Sequence, residues 1–273
     1  MDRMEAKAKK PKKPKKPEEL RSGAVVWEGI SKLDGRTPIA VVVTWYTRNH
    51  GTGDMAQAWM LRTDMHPLDA IYTGADRAVC PESCPMRPSA SNVKGRAQCY
   101  AATGLTARSL GGIFKVLDRY PRLSPEMVAD RLVGRRLRIG AYADPAAVPP
   151  DLWPVLISKT RGHTGYTHKI DLAPSLGKIL MVSADSAEQA LAFQARGYRT
   201  YRTRHVDANG VPEPLLRGEI VCPKTPEGGH RKTCADCLLC DGTLGRSKVS
   251  IAAIDHSGSA RMRLGNRLLP MVA

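Results

Sequence analysis

The chain has little Phe, few acids and no long apolar run. Two Phe occur among 273 residues, so its aromatic character rests on eight Tyr and four Trp. No apolar stretch reaches the roughly 18–20 residues that a membrane-spanning helix needs, which excludes such a helix. The Lys-rich start is not followed by an apolar segment and does not read as a secretory signal. The expectation is a cytoplasmic protein with no membrane partner. Acids number 26 against 42 Lys and Arg, a net charge of +16. Cysteine is missing everywhere except in two short segments, and an odd total of seven suits a fully disulfide-bonded scaffold poorly.

What remains is 42% hydrophobic and 25% charged, ordinary for a folded domain. The length allows one large or two modest domains with a real core. Only +4 of the charge lies in the first twenty residues, so the body itself is basic. Such a surface attracts polyanions, and nucleic acid is the leading partner because it rewards Lys and Arg through counterion release. The bland alternative is a basic protein with no such partner.

Residues 1–21, with KAKKPKKPKK at Lys7 to Lys16, predict an extended, disordered arm, since Pro blocks helix and like charges repel. Residues 22–260 predict one catalytic body that includes Cys-rich segments at 80–99 and 222–240, and residues 261–273 a second tail. Within the body, strand and helix signals alternate. IAVVVTW at Ile39 to Trp45 predicts a buried strand. Ser124-Pro125-Glu126 opens a helix that Gly134 ends, and RLRIGAYA from Arg136 predicts a strand broken by Asp144-Pro145. A helix follows from Pro150 to about Lys159. Strands are expected near His163 to His168, at Lys178 to Ser183 and at Tyr198 to Thr203. Between the last two, Asp185-Ser186 caps a helix stopped by Gly197.

The alternation predicts an α/β fold with parallel strands, a complete or partial βα barrel carrying Cys-rich metal-binding loops. In such folds ligands sit at the carboxyl ends of the strands. Polar residues follow four consecutive strands: Tyr142 and Asp144, then Tyr166, Thr167 and His168, then Ser183 and Asp185, then Arg202 and Arg204. Asp144, Tyr166, His168 and Asp185 are the candidate catalytic groups. Asp185 is equally well explained as a helix cap.

The cysteines are the most specific signal. Cys222-x11-Cys234-x2-Cys237-x2-Cys240 offers four thiolates, with three in one run. Zn sites pair cysteines from two knuckles, whereas a 4Fe–4S cluster takes successive thiolates on separate irons. The spacing favours the cluster over Zn, with His256 as a replacement or added ligand, or else a histidine hydrogen-bonded at a strand end. Cys80-x3-Cys84-x14-Cys99 offers three ligands and leaves a position for substrate or S-adenosylmethionine. A structural Zn completed from elsewhere is the alternative.

Cys80, Cys84 and the Cys99-Tyr100-Ala101 run are followed by GAYADP at Gly140 to Pro145, GYTHK at Gly165 to Lys169, MVSADS, the terminal CP…CxxCxxC segment and a late His-Ser-Gly. In this order the chain resembles phage- and prophage-encoded families that are themselves similar to radical S-adenosylmethionine enzymes. The resemblance spans about residues 24–260 and implies a radical-enzyme-like barrel with iron–sulfur chemistry. The usual motif is CxxxCxxC with an aromatic before the last Cys. Here the second gap is fourteen residues, Tyr100 follows the last Cys, and no Gly-Gly-Glu strand occurs.

Three functions follow as expectations. The first is an iron–sulfur enzyme acting on nucleic acid or a nucleotide-derived substrate. The second is a base-exchange enzyme that resembles the tRNA-guanine transglycosylases, with a zinc site and with Asp144 and Asp185 as working carboxylates. The third is a non-enzymatic, metal-stapled nucleic-acid-binding protein.

Overall fold

In the computed structural model, residues 22–46, 49–84, 104–207, 209–229 and 231–254 are described. The two expected tails, Cys99 and His256 lie outside them.

The first sheet holds β1 (Gly23–Ile30), β2 (Pro38–Thr44), β3 (Ala56–Arg62), β4 (Arg136–Tyr142) and β5 (Gly162–Thr164), in that order. β2 runs antiparallel to both β1 and β3, while β3, β4 and β5 are parallel. The antiparallel half departs from the all-parallel expectation. Asp34 accepts from the backbone N–H groups of Arg36 and Thr37 and from the Thr37 hydroxyl, which closes a tight turn after β1. A turn that short can only return the chain antiparallel, because parallel neighbours need a crossover. Ala40 to Val43 of β2 are fully buried, as the apolar run predicts.

The second sheet is wholly parallel and holds β6 (Tyr166–Thr167), β7 (Met181–Ala184), β8 (Thr200–Arg204), β10 (Ser250–Ile254) and β9 (Glu219–Val221), in that spatial order. Only Gly165 separates β5 from β6. Its carbonyl accepts from Met181 N at 3.1 Å and its N–H donates to Cys240 O at 3.0 Å, so one sheet runs into the other there. A Cβ at this position would meet Leu180 Cδ2 at 2.6 Å and Ile139 at 3.0 Å, which explains the glycine. Among the described residues the strands form two open sheets and no closed barrel.

Alternation along the strands separates two faces. Leu137 and Ile139 of β4 join the main core, which also takes in residues of α3 (Pro125–Arg131) and α4 (Leu152–Ile157). Ser124 caps α3 by accepting from Met127 N, with Pro125 in the first turn, as read from the sequence. Between β7 and β8, α5 (Ala187–Ala195) covers the sheet, and its Gln194 side chain donates to Thr200 at 3.0 Å. The opposite face carries Arg138, Tyr166 and Tyr201. The Arg138 guanidinium lies 5.1 Å from the Tyr166 ring centroid, and the two Tyr rings meet edge-on at 4.7 Å.

Residues 234–246 pass along this second face and under the starts of the parallel strands. Buried Arg199, just before β8, holds them there by donating to Asp241 at 2.8 Å and to the carbonyls of Leu239, Gly242 and Val249. No helix among the described residues is long and apolar enough to cross a membrane.

Candidate metal centre and strand-end site

The later cysteine group is drawn together on the Tyr166 face. Cys222 directly follows β9, where its N–H donates to Ala252 O at 2.9 Å. Cys234 and Cys237 span one helical turn, α6 (Cys234–Cys237), capped by Thr233 through Asp236 N. Ala235 N donates to Thr52 O at 2.8 Å and fixes that turn beside the loop before β3. Leu238 then covers Gly162, where a Cβ would lie 2.7 Å from its Cδ1, and Cys240 packs with Met181, Ile251, Tyr166, Tyr201 and Cys222.

Electrostatics shows that these thiols share one environment. Burial pushes the Cys240 thiol up to about 12, against a hydrogen bond from Tyr166 that favours the thiolate, and Cys222, Cys234 and Cys237 raise it further. Burial also raises Cys222 and Cys237, each with a contribution from Cys234. The Tyr166 phenol is raised well above its ordinary value, first by burial and then by Cys240. The described cysteines form no disulfide with one another.

As they stand, no three His, Cys, Asp or Glu side chains among the described residues are gathered tightly enough to hold a single metal ion. The donor set nevertheless suits a sulfur-ligated group. The hydroxyl of Thr164, a residue 2% exposed, has no hydrogen-bond partner among the described residues, and neither has buried Arg136 Nε. Thr164 lies two residues before Tyr166, and Arg136 two before Arg138, so both belong to the face the cysteines cover. Orphaned buried donors are costly, and sulfur atoms of a cluster accept such hydrogen bonds. The residues present therefore fit a thiolate-bound cluster better than an apolar plug.

The earlier group begins at the carboxyl edge. Val79 O accepts from Asp144 N at 2.9 Å, which ties the residue before Cys80 to the end of β4. Cys80 N donates to Asp76 O, and Cys84 N to Pro81 O. Because Cys99 is outside the described residues, the assembly of this trio is not described.

Asp144, 4% exposed, is engaged at both oxygens. Oδ1 accepts from Ala146 N at 2.9 Å and from Thr167 Oγ1 at 2.8 Å, and Oδ2 accepts from His168 N at 2.8 Å. It binds the ends of β4 and β6 together. Asp185 differs. Ser186, not Asp185, caps α5 by accepting from Gln189 N, which leaves the Asp185 carboxylate 3.5 Å from His168 Nε2. These two side chains are 21% and 24% exposed. His205 Nε2 donates to the Asp185 carbonyl at 2.9 Å.

Three of the four expected catalytic residues, Asp144, His168 and Asp185, thus meet at the strand ends. Tyr166 does not join them; it lies across the sheet with Cys240. Arg202 stands level with Ala184, the last residue of β7, but its guanidinium is already engaged: fully buried, it is held bidentately by Glu219 at 2.9 and 2.7 Å and bound by Glu213 at 2.8 Å. His205, Thr164 and Arg136 were not singled out from the sequence. His205 lies one position past the polar residues read after β8, and β-alternation from Tyr166 and Arg138 would have pointed to the other two. Searches for a matching family model, a matching curated protein and a matching solved structure each found none.

Proposed function

We propose that the chain is an iron–sulfur enzyme, radical S-adenosylmethionine-like in organisation, acting on nucleic acid or a nucleotide-derived substrate in a reducing, cytoplasmic setting. The observation that carries this reading is the Asp144 N–Val79 O hydrogen bond. It puts the entry to the Cys80/Cys84/Cys99 segment at the same sheet edge as His168 and Asp185. Ligands of parallel-sheet proteins bind at that edge, and the sheet is read as an open βα barrel.

In this reading Cys80, Cys84 and Cys99 hold a 4Fe–4S cluster with one position left for S-adenosylmethionine or substrate. Cys222, Cys234, Cys237 and Cys240 hold a second, structural or electron-relaying one, with His256 as a further ligand. Such clusters supply one-electron chemistry. The chain's own contribution at the edge is acid–base: His168 holds or moves a proton at Nε2, and the Asp185 carboxylate orients the ring and balances its charge. Asp144 fixes the loop that carries His168. Tyr166 donates its hydroxyl to Cys240 and serves the thiol site.

The base-exchange reading, with Zn, draws less support. It needs Asp144 as a working carboxylate, and both of its oxygens are already engaged.

The test is S-adenosylmethionine cleavage by anaerobically reconstituted, reduced protein. Release of methionine and 5′-deoxyadenosine, abolished in Cys80→Ala and Cys84→Ala while iron at the later group persists, supports the proposal. No cleavage from protein with both sites loaded counts against it.

A further inference from the structure

A row of cations crosses the starts of the parallel strands, on the edge opposite His168 and Asp185. Arg131 and Arg135 precede β4. The Arg135 guanidinium lies 4.6 Å from the Tyr46 ring centroid, and Arg131 lies 5.9 Å from that of Trp45. Tyr46 is 72% exposed, so its ring offers a face to solvent. Arg161 N donates to Arg135 O at 2.7 Å, which makes Arg161, just before β5, the next member. Arg246 Nη2 donates to Arg161 O at 2.7 Å and continues the row.

At this point the surface sinks into a depression of about 280 Å³ lined by Arg161, His163, Lys178, Leu238, Asp241 and Arg246. Its one carboxylate is already used: Asp241 accepts from Arg199 Nη1 at 2.8 Å and from Arg246 N at 2.9 Å. His163 adds no charge, because burial lowers its pKa and Nε2–H is committed to Ile179 O at 2.8 Å. The excess is therefore cationic and comes from the long exposed side chains of Arg161, Lys178 and Arg246.

We infer that this edge is a track for single-stranded nucleic acid, with a backbone phosphate in the Arg161/Lys178/Arg246 depression and an unpaired base stacked on Tyr46. Cations alone suit any polyanion. An exposed aromatic within the row adds a platform that only an unstacked base can use, since bases of a duplex are already stacked and paired. The depression borders the later cysteine segment through Leu238 and Asp241, but its charge comes from Arg161, Lys178 and Arg246, and the track rests on the nucleic-acid half of the proposed function, not on the metal.

The experiment is fluorescence anisotropy of the full-length chain with a labelled oligothymidine and with a duplex of equal length, over a series of salt concentrations. The wild type should bind the single strand more tightly. Arg161→Gln with Lys178→Gln should make the log–log salt dependence shallower by about 0.7, the share of the one phosphate no longer neutralised. Tyr46→Ala should weaken single-strand binding about 5-fold or more with an unchanged salt slope, and Tyr46→Phe should restore it. Thermal melts of the same variants confirm that they are folded, which is expected because these side chains are exposed.

If the wild type binds the oligonucleotide but neither set of variants changes it, the track is wrong and the nucleic-acid reading survives. If deleting residues 1–21 abolishes all binding, the affinity belongs to the tail and the track is again wrong. Wild type that binds neither strand form overturns both. Polyglutamate competing equally against wild type and Tyr46→Ala would mark a generic polyanion surface and overturn the base-stacking claim.

Discussion

His168 Nε2 stands 3.5 Å from the Asp185 carboxylate, with the two residues coming from the ends of adjacent parallel strands. Ser186 takes over the capping of α5, so the Asp185 carboxylate is not spent as a helix cap. His168→Gln and Asp185→Asn should each reduce turnover about 10²- to 10⁴-fold, the range for removal of a positioned acid–base group. Because both side chains are partly exposed, stability should stay within about 0.5 kcal/mol. Denaturant melts alongside turnover separate the two effects.

Asp144 should behave in the opposite way. Its carboxylate accepts from two backbone N–H groups and from Thr167, all in a buried site. Asp144→Ala should destabilise the chain by about 3 kcal/mol or more, since hydrogen bonds to a charged acceptor contribute about 1.5–3 kcal/mol each. Urea unfolding measures this without any knowledge of the substrate.

Thr164 gives a test that changes sign with loading. Its hydroxyl is buried and finds no partner among the described residues. Thr164→Val should leave the metal-free protein equally stable or more stable, because an unsatisfied polar group is removed. In the loaded protein of the proposed function, where Thr164 would donate to sulfur, the same change should lower stability by about 1 kcal/mol and move the reduction potential. Voltammetry and thermal melts on both forms read this out.

His163 predicts an acid limb in stability. Burial holds its pKa below the ordinary 6.5, so the folded state resists a proton that the unfolded chain accepts. The contribution is complete above the unfolded value and is lost as pH falls through it towards the folded one. Wild type should lose stability more steeply than His163→Gln below about pH 6.5. Unfolding free energies measured from pH 8 to pH 5 give the comparison.

Arg199 and Asp241 are both buried, at 5% and 7% side-chain exposure. Asp241→Ala leaves Arg199 without its counter-charge and should cost about 3–5 kcal/mol. It should also loosen the Leu238–Arg246 segment, detectable as faster amide hydrogen exchange.

Local signals carried much of the architecture. The β-branched run of β2, the caps Ser124 and Ser186, and the strand ending at Tyr142 follow from propensity and capping chemistry within a few residues. The convergence of Asp144, His168 and Asp185 follows from one further rule, that parallel strands present their carboxyl ends together. Long-range facts were not legible. Tyr166 and Thr167 are neighbours in sequence, yet strand alternation sends one to Cys240 and the other to Asp144. Grouping them by adjacency mixed two sites. The antiparallel return from β1 to β2 depends on the turn that Asp34 closes, and the ion pair that anchors the cysteine segment joins residues 42 apart. The Asp34-Gly35 pair was a local sign of that turn and went unread, whereas a partner so distant leaves no trace in the residue pattern.

The most direct test is metal and sulfide analysis of protein purified without oxygen, for wild type, Cys240→Ser and Cys84→Ser. The expected result is brown protein with iron and acid-labile sulfide in equal amounts, each variant losing about one cluster's share, roughly four irons. Colourless protein carrying stoichiometric zinc, or iron content unchanged in both variants, would contradict it.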